Sequence, residues 1–188
     1  MGLVPMERLE KEFDIEVEWK GLEIHPELPP EGLLWEARYS PEQLQQIEGS
    51  MHSLAAGVGL TMRLPSLMPN SHLALEAAEF AREAGCLTQF HRRLFEANFQ
   101  DDINIGEIGR LEALAEEVGL DGKALSQALA GRRYERHLME ATKEAHQLGI
   151  NGVPTYIVGG RRSVGAQPYE VLRQAIVLAG ARPRQPQA

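Results

Sequence analysis

The fold of this chain is decided by the stretch GINGVPTYIV at residues 149–158. Gly149 is of the residue type that commonly ends a helix, and Gly152 predicts a turn directly before Val153-Pro154. A residue that precedes proline avoids the helical region, so the backbone is expected to be extended there. The run Thr155–Val158 is rich in β-branched and aromatic residues, which favours a strand. The stretch therefore predicts a helix end, a proline loop and a strand, in that order.

The residues after this strand predict a hairpin and a last helix. Gly159-Gly160 is typical of a two-residue hairpin turn, and residues 162–164 follow as the return strand. Gln167-Pro168 opens a helix that Gly180 ends. The polar, proline-rich residues 182–188 are expected to form a flexible tail.

The beginning of the chain predicts a helix followed by a strand. Leu3, Met6 and Leu9 recur at helical spacing, which predicts a helix over residues 3–12. Residues 14–20 alternate polar and apolar side chains, and the pattern runs on to Ile24. Such alternation predicts a strand with one buried face, which ends before Pro26.

The middle of the chain, residues 37–149, predicts a succession of helices. Ser40-Pro41-Glu42-Gln43 combines a capping box with proline at the first helical position. Asp121 is of the type that caps a later helix. Because strands at the two ends of the sequence have to meet, we expect the helical block to be an insertion into a small α/β domain.

Composition narrows the classes of function. The 188 residues carry a formal net charge of -8, which argues against a protein that binds nucleic acid by neutralising phosphates. No apolar run is long enough to span a bilayer, and no basic segment precedes an apolar one at the N-terminus. The single cysteine, Cys86, excludes an intramolecular disulfide and fits a reducing compartment, so we expect a cytoplasmic protein. The six histidines show no metal-ligand spacing, and no metal site is predicted.

Several segments together resemble the DsbA-like branch of the thioredoxin superfamily. The nearest subgroup contains FrnE-type dithiol oxidoreductases and 2-hydroxychromene-2-carboxylate isomerases. The segments that carry the resemblance are residues 13–19 (FDIEVEW), 23–27 (EIHPE), 70–81 (NSHLALEAAEFA), 152–155 (GVPT) and 164–168 (VGAQP). The resemblance implies a thioredoxin-like α/β domain from residues 1–36 and 150–181, with residues 37–149 as an inserted helical domain.

The chain departs from that family at its beginning. In the family a central strand and a Cys-Pro-x-Cys pair precede the first helix, and Met1-Gly2-Leu3 resembles the residues just after that pair. Without this strand, the two strands beside it would have unpaired inner edges. Each buried backbone group left unpaired there costs about 1–3 kcal/mol of stability. We therefore expect a native polypeptide that starts upstream of Met1, with another chain or a rearrangement in the gap as the alternatives. As given, the chain is expected to run no dithiol chemistry.

The resemblance also implies where a substrate binds. A cis bond at Val153-Pro154 is expected, which leaves the Val153 backbone free to pair with an extended substrate. Asn70 starts a helix at a position that resembles the isomerases' substrate-binding region, with a helix cap as the simpler interpretation. His25 is expected at the rim of the site. No residue is assigned as catalytic, and Cys86 is interpreted as a small residue in a helix connection.

Three functions stay open at this point. The first is thiol–disulfide exchange on protein or small-molecule thiols, by a cysteine pair that belongs just before Gly2. The second is a glutathione-dependent isomerase or transferase, with glutathione as cosubstrate at the Val153-Pro154 edge. The third is a non-catalytic peptide-binding module. No further cofactor, nucleic-acid partner or membrane partner is expected, and a homodimer is left open.

Overall fold

The computed structural model describes residues 1–185. Its elements are listed in chain order: α1 (Leu3–Glu12), β1 (Phe13–Asp14), a 3-10 turn (Trp35–Ala37), α2 (Pro41–Ala56), α3 (His72–Glu83), α4 (Leu87–Phe99), α5 (Ile108–Glu117), α6 (Gly122–Ala130), α7 (Glu135–Gln147), β2 (Thr155–Val158), β3 (Arg161–Val164), α8 (Tyr169–Leu178) and β4 (Arg182–Pro183). None of the helices within residues 1–185 is long and apolar enough to cross a membrane.

The helices from α3 to α6 enclose one hydrophobic core. Phe90, Leu111 and Leu125 are fully buried in it, against the small side chains of Ala77 and Ala81 on α3. Alanines at these positions let α4 pack closely on α3. Helix starts follow the predicted caps: the Ser40 hydroxyl accepts the Gln43 amide, and the Asp121 carboxylate accepts the Ala124 amide at 2.9 Å. This block is therefore closed around apolar side chains of its own.

A second core joins the two ends of the chain. Met6 and Leu9 of α1 pack with Tyr156 of β2 and with Leu172 and Ile176 of α8. Leu9 is fully buried and Leu172 nearly so. This core fixes α1 beside β2, and thus places the first residues of the chain near the proline loop.

The strand predicted over residues 14–24 is wrong as a paired strand. Of this segment and its flank, Phe13 and Asp14 pair with β4, whereas residues 15–24 form no ladder with any described strand. The alternation is nevertheless kept, because Ile15, Val17 and Trp19 pack against the second core while the residues between them are exposed. Alternation determines which face is buried, but it does not supply a neighbouring edge to pair with. The described strands accordingly form two separate two-stranded sheets, β1–β4 and β2–β3.

The flexible tail predicted from residue 182 is also corrected. Pro183 and Arg182 pair antiparallel with Phe13 and Asp14. The Arg184 amide donates to Glu12 O at 2.8 Å, and its guanidinium donates to the carbonyls of Glu10 and Phe13. These bonds satisfy carbonyls at the end of α1 that the helix itself leaves unpaired. Residues 186–188 of the predicted tail lie outside the described part of the chain.

Candidate functional site

The proline loop is held at both of its ends. Helix α7 ends at Gln147, Gly149 follows with a φ of 67°, and the Ile150 amide donates back to Ala145 O at 2.8 Å. The Arg162 guanidinium of β3 donates to the carbonyls of Leu148 and Gly149 at 2.7 and 2.9 Å. The loop is therefore tied to the hairpin that follows it.

The Val153-Pro154 peptide bond is cis. The Gly165 amide donates to Pro154 O at 2.8 Å. The backbone hydrogen-bonding groups of residue 154, and of every second residue after it, therefore point toward β3. Val153, Thr155 and Ile157 consequently direct their backbone groups to the other edge of β2. That edge is open in the described part of the chain, and the Val153 side chain is 59% exposed. An extended peptide could add to this edge.

The start of α1 lies directly against the loop. A Cβ atom at Gly2 would come within 3.3 Å of Pro154 Cβ and 3.0 Å of the Tyr156 hydroxyl oxygen. Gly2 has no side chain to cap the helix, and no acidic residue lies in the first turn. Pro5 has no amide hydrogen, so the free donors of this helix end include the amides of Leu3 and Val4. The helix thus presents partial positive charge to the cleft between Gly2 and Pro154, which we call the α1–proline cleft.

Tyr156 of β2 is the second residue after Pro154, and its hydroxyl is buried. The residue is 9% exposed, and within residues 1–185 its hydroxyl has no hydrogen-bond partner. Burial raises the pKa of the Tyr156 phenol and lowers the pKa of the Met1 amino group. Tyr156 was missed as a site residue in the sequence, where it appeared only as part of the strand predicted over residues 155–158. Its closeness to Gly2 depends on the packing of α1 on β2, which no local pattern shows.

Asn70 and His25 both have polar partners within the chain. The Asn70 amide donates to Leu28 O at 2.7 Å, and its side-chain oxygen accepts the His72 amide at 2.9 Å, at the start of α3. His25 Nδ1 lies 3.1 Å from a Glu27 oxygen. No contact in the described chain joins either residue to Pro154, and their role in substrate binding stays a prediction.

The sequence did not predict a groove that lies beside His72. It is open, has a volume of about 650 Å³ and lies between α7, the start of α3 and the loop after Ile24. In its wall the His72 imidazole lies between two carboxylates, with Nδ1 3.1 Å from Glu23 and Nε2 3.2 Å from the fully buried Glu76. The second approach is close enough for an ion pair but does not have the geometry of a hydrogen bond. The i,i+4 spacing of His72 and Glu76 is visible in the sequence, but the third member comes from a distant segment. No group of three or more metal-ligand side chains that could hold a metal occurs within residues 1–185.

Cys86 lies away from these features. It is partly buried at the start of α4, with Sγ 3.6 Å from Val118 O. No described contact brings it to the α1–proline cleft. Its position agrees with a small residue in a helix connection.

Known proteins share this architecture. Residues 2–177 match the model of the family described as DSBA-like thioredoxin domain. The Bacillus subtilis (strain 168) protein YwbO is 34% identical over 179 residues, which cover 94% of this chain and 88% of YwbO. A probable DsbA oxidoreductase from Streptomyces coelicolor superposes with a TM-score of 0.82 at 25% identity, over all of this chain and 87% of the other. A 2-hydroxychromene-2-carboxylate isomerase shares the fold, with a TM-score of 0.73 at 16% identity, over 94% of this chain and 89% of the isomerase.

Proposed function

Because the chain belongs to the DSBA-like thioredoxin domain family, we propose that it acts in thiol–disulfide exchange at the α1–proline cleft. The family resemblance drawn from the residues is confirmed, as is the thioredoxin-like fold with a helical insertion. The observation that carries the proposal is the approach of Gly2 at the start of α1 to Pro154 and Tyr156. A helix N-terminus lowers the pKa of a thiol placed there and so favours the reactive thiolate.

The exchange needs two thiols. One thiolate attacks a sulfur of a substrate disulfide, forms a mixed disulfide and releases the substrate's other sulfur as a thiolate. The second thiolate then breaks the mixed disulfide, so that the protein pair is oxidised and the substrate is reduced by two electrons. The chain as given holds one cysteine, and Cys86 lies at the start of α4 rather than α1. We propose that the 188 residues alone are redox-inactive and that a cysteine pair introduced at the start of α1 would supply the exchange.

The open edge of β2 supplies the substrate side of the site. Val153, Thr155 and Ile157 turn their backbone groups outward, and the Val153 and Ile157 side chains are more than half exposed. An extended segment of a thiol-containing protein fits such an edge as an added strand. The proposal includes a cytoplasmic location, because one cysteine in 188 residues fits a reducing compartment.

Insulin reduction by dithiothreitol tests this function. The chain as given should leave the rate of insulin precipitation unchanged. A variant in which Met1 is replaced by a strand-forming segment that ends in Cys-Pro-x-Cys should accelerate it, and the matched Ser-Pro-x-Ser variant should not. A folded dithiol variant that is no faster than its serine control contradicts the position of the site. Turnover by the parent chain contradicts its redox inactivity, and Cys86→Ser then shows whether Cys86 is responsible.

A glutathione-dependent isomerase or transferase is the second candidate. It is favoured by the buried Tyr156 hydroxyl at the α1–proline cleft, since a hydroxyl can hold the glutathione thiolate where the protein itself offers no thiol. Saturable glutathione binding by the parent chain, without any dithiol activity of the extended variant, would favour it over exchange. Absence of both leaves the peptide-binding module, which is tested by binding of an extended peptide to the open edge of β2.

A further inference from the structure

The Tyr156 hydroxyl is a buried polar group without a partner in the described chain. Tyr156 is 9% exposed, and no side chain or carbonyl of residues 1–185 hydrogen-bonds its hydroxyl. Buried polar atoms in folded proteins are paired in about nine cases out of ten. An exception of this kind marks the hydroxyl as a candidate for binding a polar group of a ligand.

The geometry around this hydroxyl defines the kind of group. Its oxygen lies 3.0 Å from where a Cβ of Gly2 would be, at the start of α1, where the Leu3 and Val4 amides have no partner within the helix. The two amides can only donate, whereas the hydroxyl can donate or accept. A single group that pairs with the hydroxyl and with both amides is therefore an acceptor, and the start of the helix favours one with negative charge.

We infer that Tyr156 is the hydrogen-bond donor of a thiolate-binding site at the start of α1. The inference rests on the proposed function and assigns a role that the family membership alone does not give. The Pro154 ring forms an apolar wall of the site, since its Cβ and Cγ atoms lie 3.3 and 3.4 Å from where a Cβ of Gly2 would be. Such a wall favours a singly charged, weakly hydrated sulfur over a more strongly hydrated phosphate.

The hydroxyl would act on the protonation of the sulfur. A donor within hydrogen-bond reach of the thiolate stabilises the charged form and lowers the pKa of the thiol, in addition to the effect of the helix. Burial raises the pKa of Tyr156, so the phenol keeps its proton and remains a donor at neutral pH. The thiolate has two sources with the same chemistry: a cysteine carried at the start of α1, or free glutathione.

The first arm of the test places a thiol at Gly2. Gly2→Cys puts the new Cβ next to the Tyr156 hydroxyl, and Cys86→Ser removes the other thiol from the background. Thiolate absorbance at 240 nm and the rate of alkylation by iodoacetamide are followed against pH. We expect a cysteine pKa below the usual value of about 8.5, and Tyr156→Phe should raise it by about one pH unit. Far-UV circular dichroism and urea unfolding verify that each variant is folded.

The second arm uses glutathione on the chain with Gly2 intact. Isothermal titration measures its affinity for the parent and for Tyr156→Phe, with S-methylglutathione as a probe that cannot form a thiolate. Binding that weakens about tenfold in Tyr156→Phe identifies free glutathione as the source. A changed cysteine pKa without glutathione binding identifies a thiol carried by a protein. Both results support Tyr156 as the donor.

The inference is overturned if Tyr156→Phe changes neither the cysteine pKa nor the glutathione affinity. That result is separate from failure of the proposed function, because insulin reduction by the Cys-Pro-x-Cys variant reports on the dithiol whether or not Tyr156 assists it.

Discussion

Replacement of His91 is expected to make the protein markedly less sensitive to acid. His91 lies on α4 with its ring 5.9 Å from Trp19, edge to face, and 6.3 Å from Phe95. Its Nδ1 atom is buried and has no hydrogen-bond partner within residues 1–185. Burial, and secondarily the nearby Arg82 charge, lowers the pKa of His91 from 6.5 to about 4. The folded protein therefore holds this histidine neutral where it joins the N-terminal segment to the helical block.

The sign of the effect follows from which state binds the proton first. The unfolded chain protonates His91 near pH 6.5, whereas the folded chain does so only near pH 4. The neutral histidine thus contributes its full stability above pH 6.5, and this contribution is lost as the pH falls from 6.5 to about 4. Each pH unit in that interval costs ~1.4 kcal/mol, so the loss between pH 7.5 and pH 4.5 amounts to about 2–3 kcal/mol.

Urea unfolding at the two pH values measures this loss, with the fluorescence of Trp19 and Trp35 as the signal. His91→Phe keeps an aromatic ring against Trp19 but cannot titrate. It should lose about 2–3 kcal/mol less than the parent between pH 7.5 and pH 4.5. His52→Gln, at an exposed position on α2, is the control and should match the parent. Equal losses in the parent and in His91→Phe would refute the reasoning.

Three further substitutions have defined outcomes. Tyr156→Phe in the chain as given should raise the free energy of unfolding by about 1 kcal/mol, because it removes a buried unpartnered hydroxyl; a loss of stability in urea would contradict this. Arg184→Ala should lower the free energy of unfolding by about 1 kcal/mol and speed amide exchange at the C-terminal end of α1, since the guanidinium donates to Glu10 O and Phe13 O. Arg182→Ala is the neighbouring control, and equal effects of the two substitutions would count against this cap. Glu76→Ala should cost about 3 kcal/mol in urea unfolding, because the carboxylate accepts the Tyr134 amide and faces His72 from a fully buried position. Glu83→Ala, at a more exposed carboxylate, should cost clearly less, and the reverse order would contradict the importance of the buried Glu76 carboxylate.

What could be predicted from the sequence depended on the range of the interactions. The hairpin of β2 and β3 is a local structure, and its strand residues with Gly159-Gly160 between them were sufficient to predict it. The helix starts at Ser40 and Asp121 were predictable for the same reason. Residues 15–24 were not, because their alternation is equally compatible with a paired strand and with an unpaired extended segment.

The non-local contacts escaped the sequence for a different reason. The partners of Arg184 lie at the opposite end of the chain, and the sequence of a short segment of arginine and proline does not indicate which residues it will contact. His72 was visible only as part of a helix start, since Glu23 joins it from a segment that looked like a strand. In each case a charged side chain satisfies a group far away in sequence, and hydrophobic periodicity does not encode such pairs.

The α1–proline cleft depends on packing rather than on a continuous sheet. Gly2 and Pro154 come from opposite ends of the chain, and within residues 1–185 no strand connects α1 to β2 by backbone hydrogen bonds. What connects them is the core in which Leu9 of α1 packs with Tyr156 and with Leu172 of α8. The same tyrosine thus anchors β2 to α1 through its ring and presents its hydroxyl to the helix end. This double role explains how the proline side of the site can be positioned while residues 15–24 remain unpaired, and why the phenol ring of Tyr156 has to be kept in any variant that tests its hydroxyl.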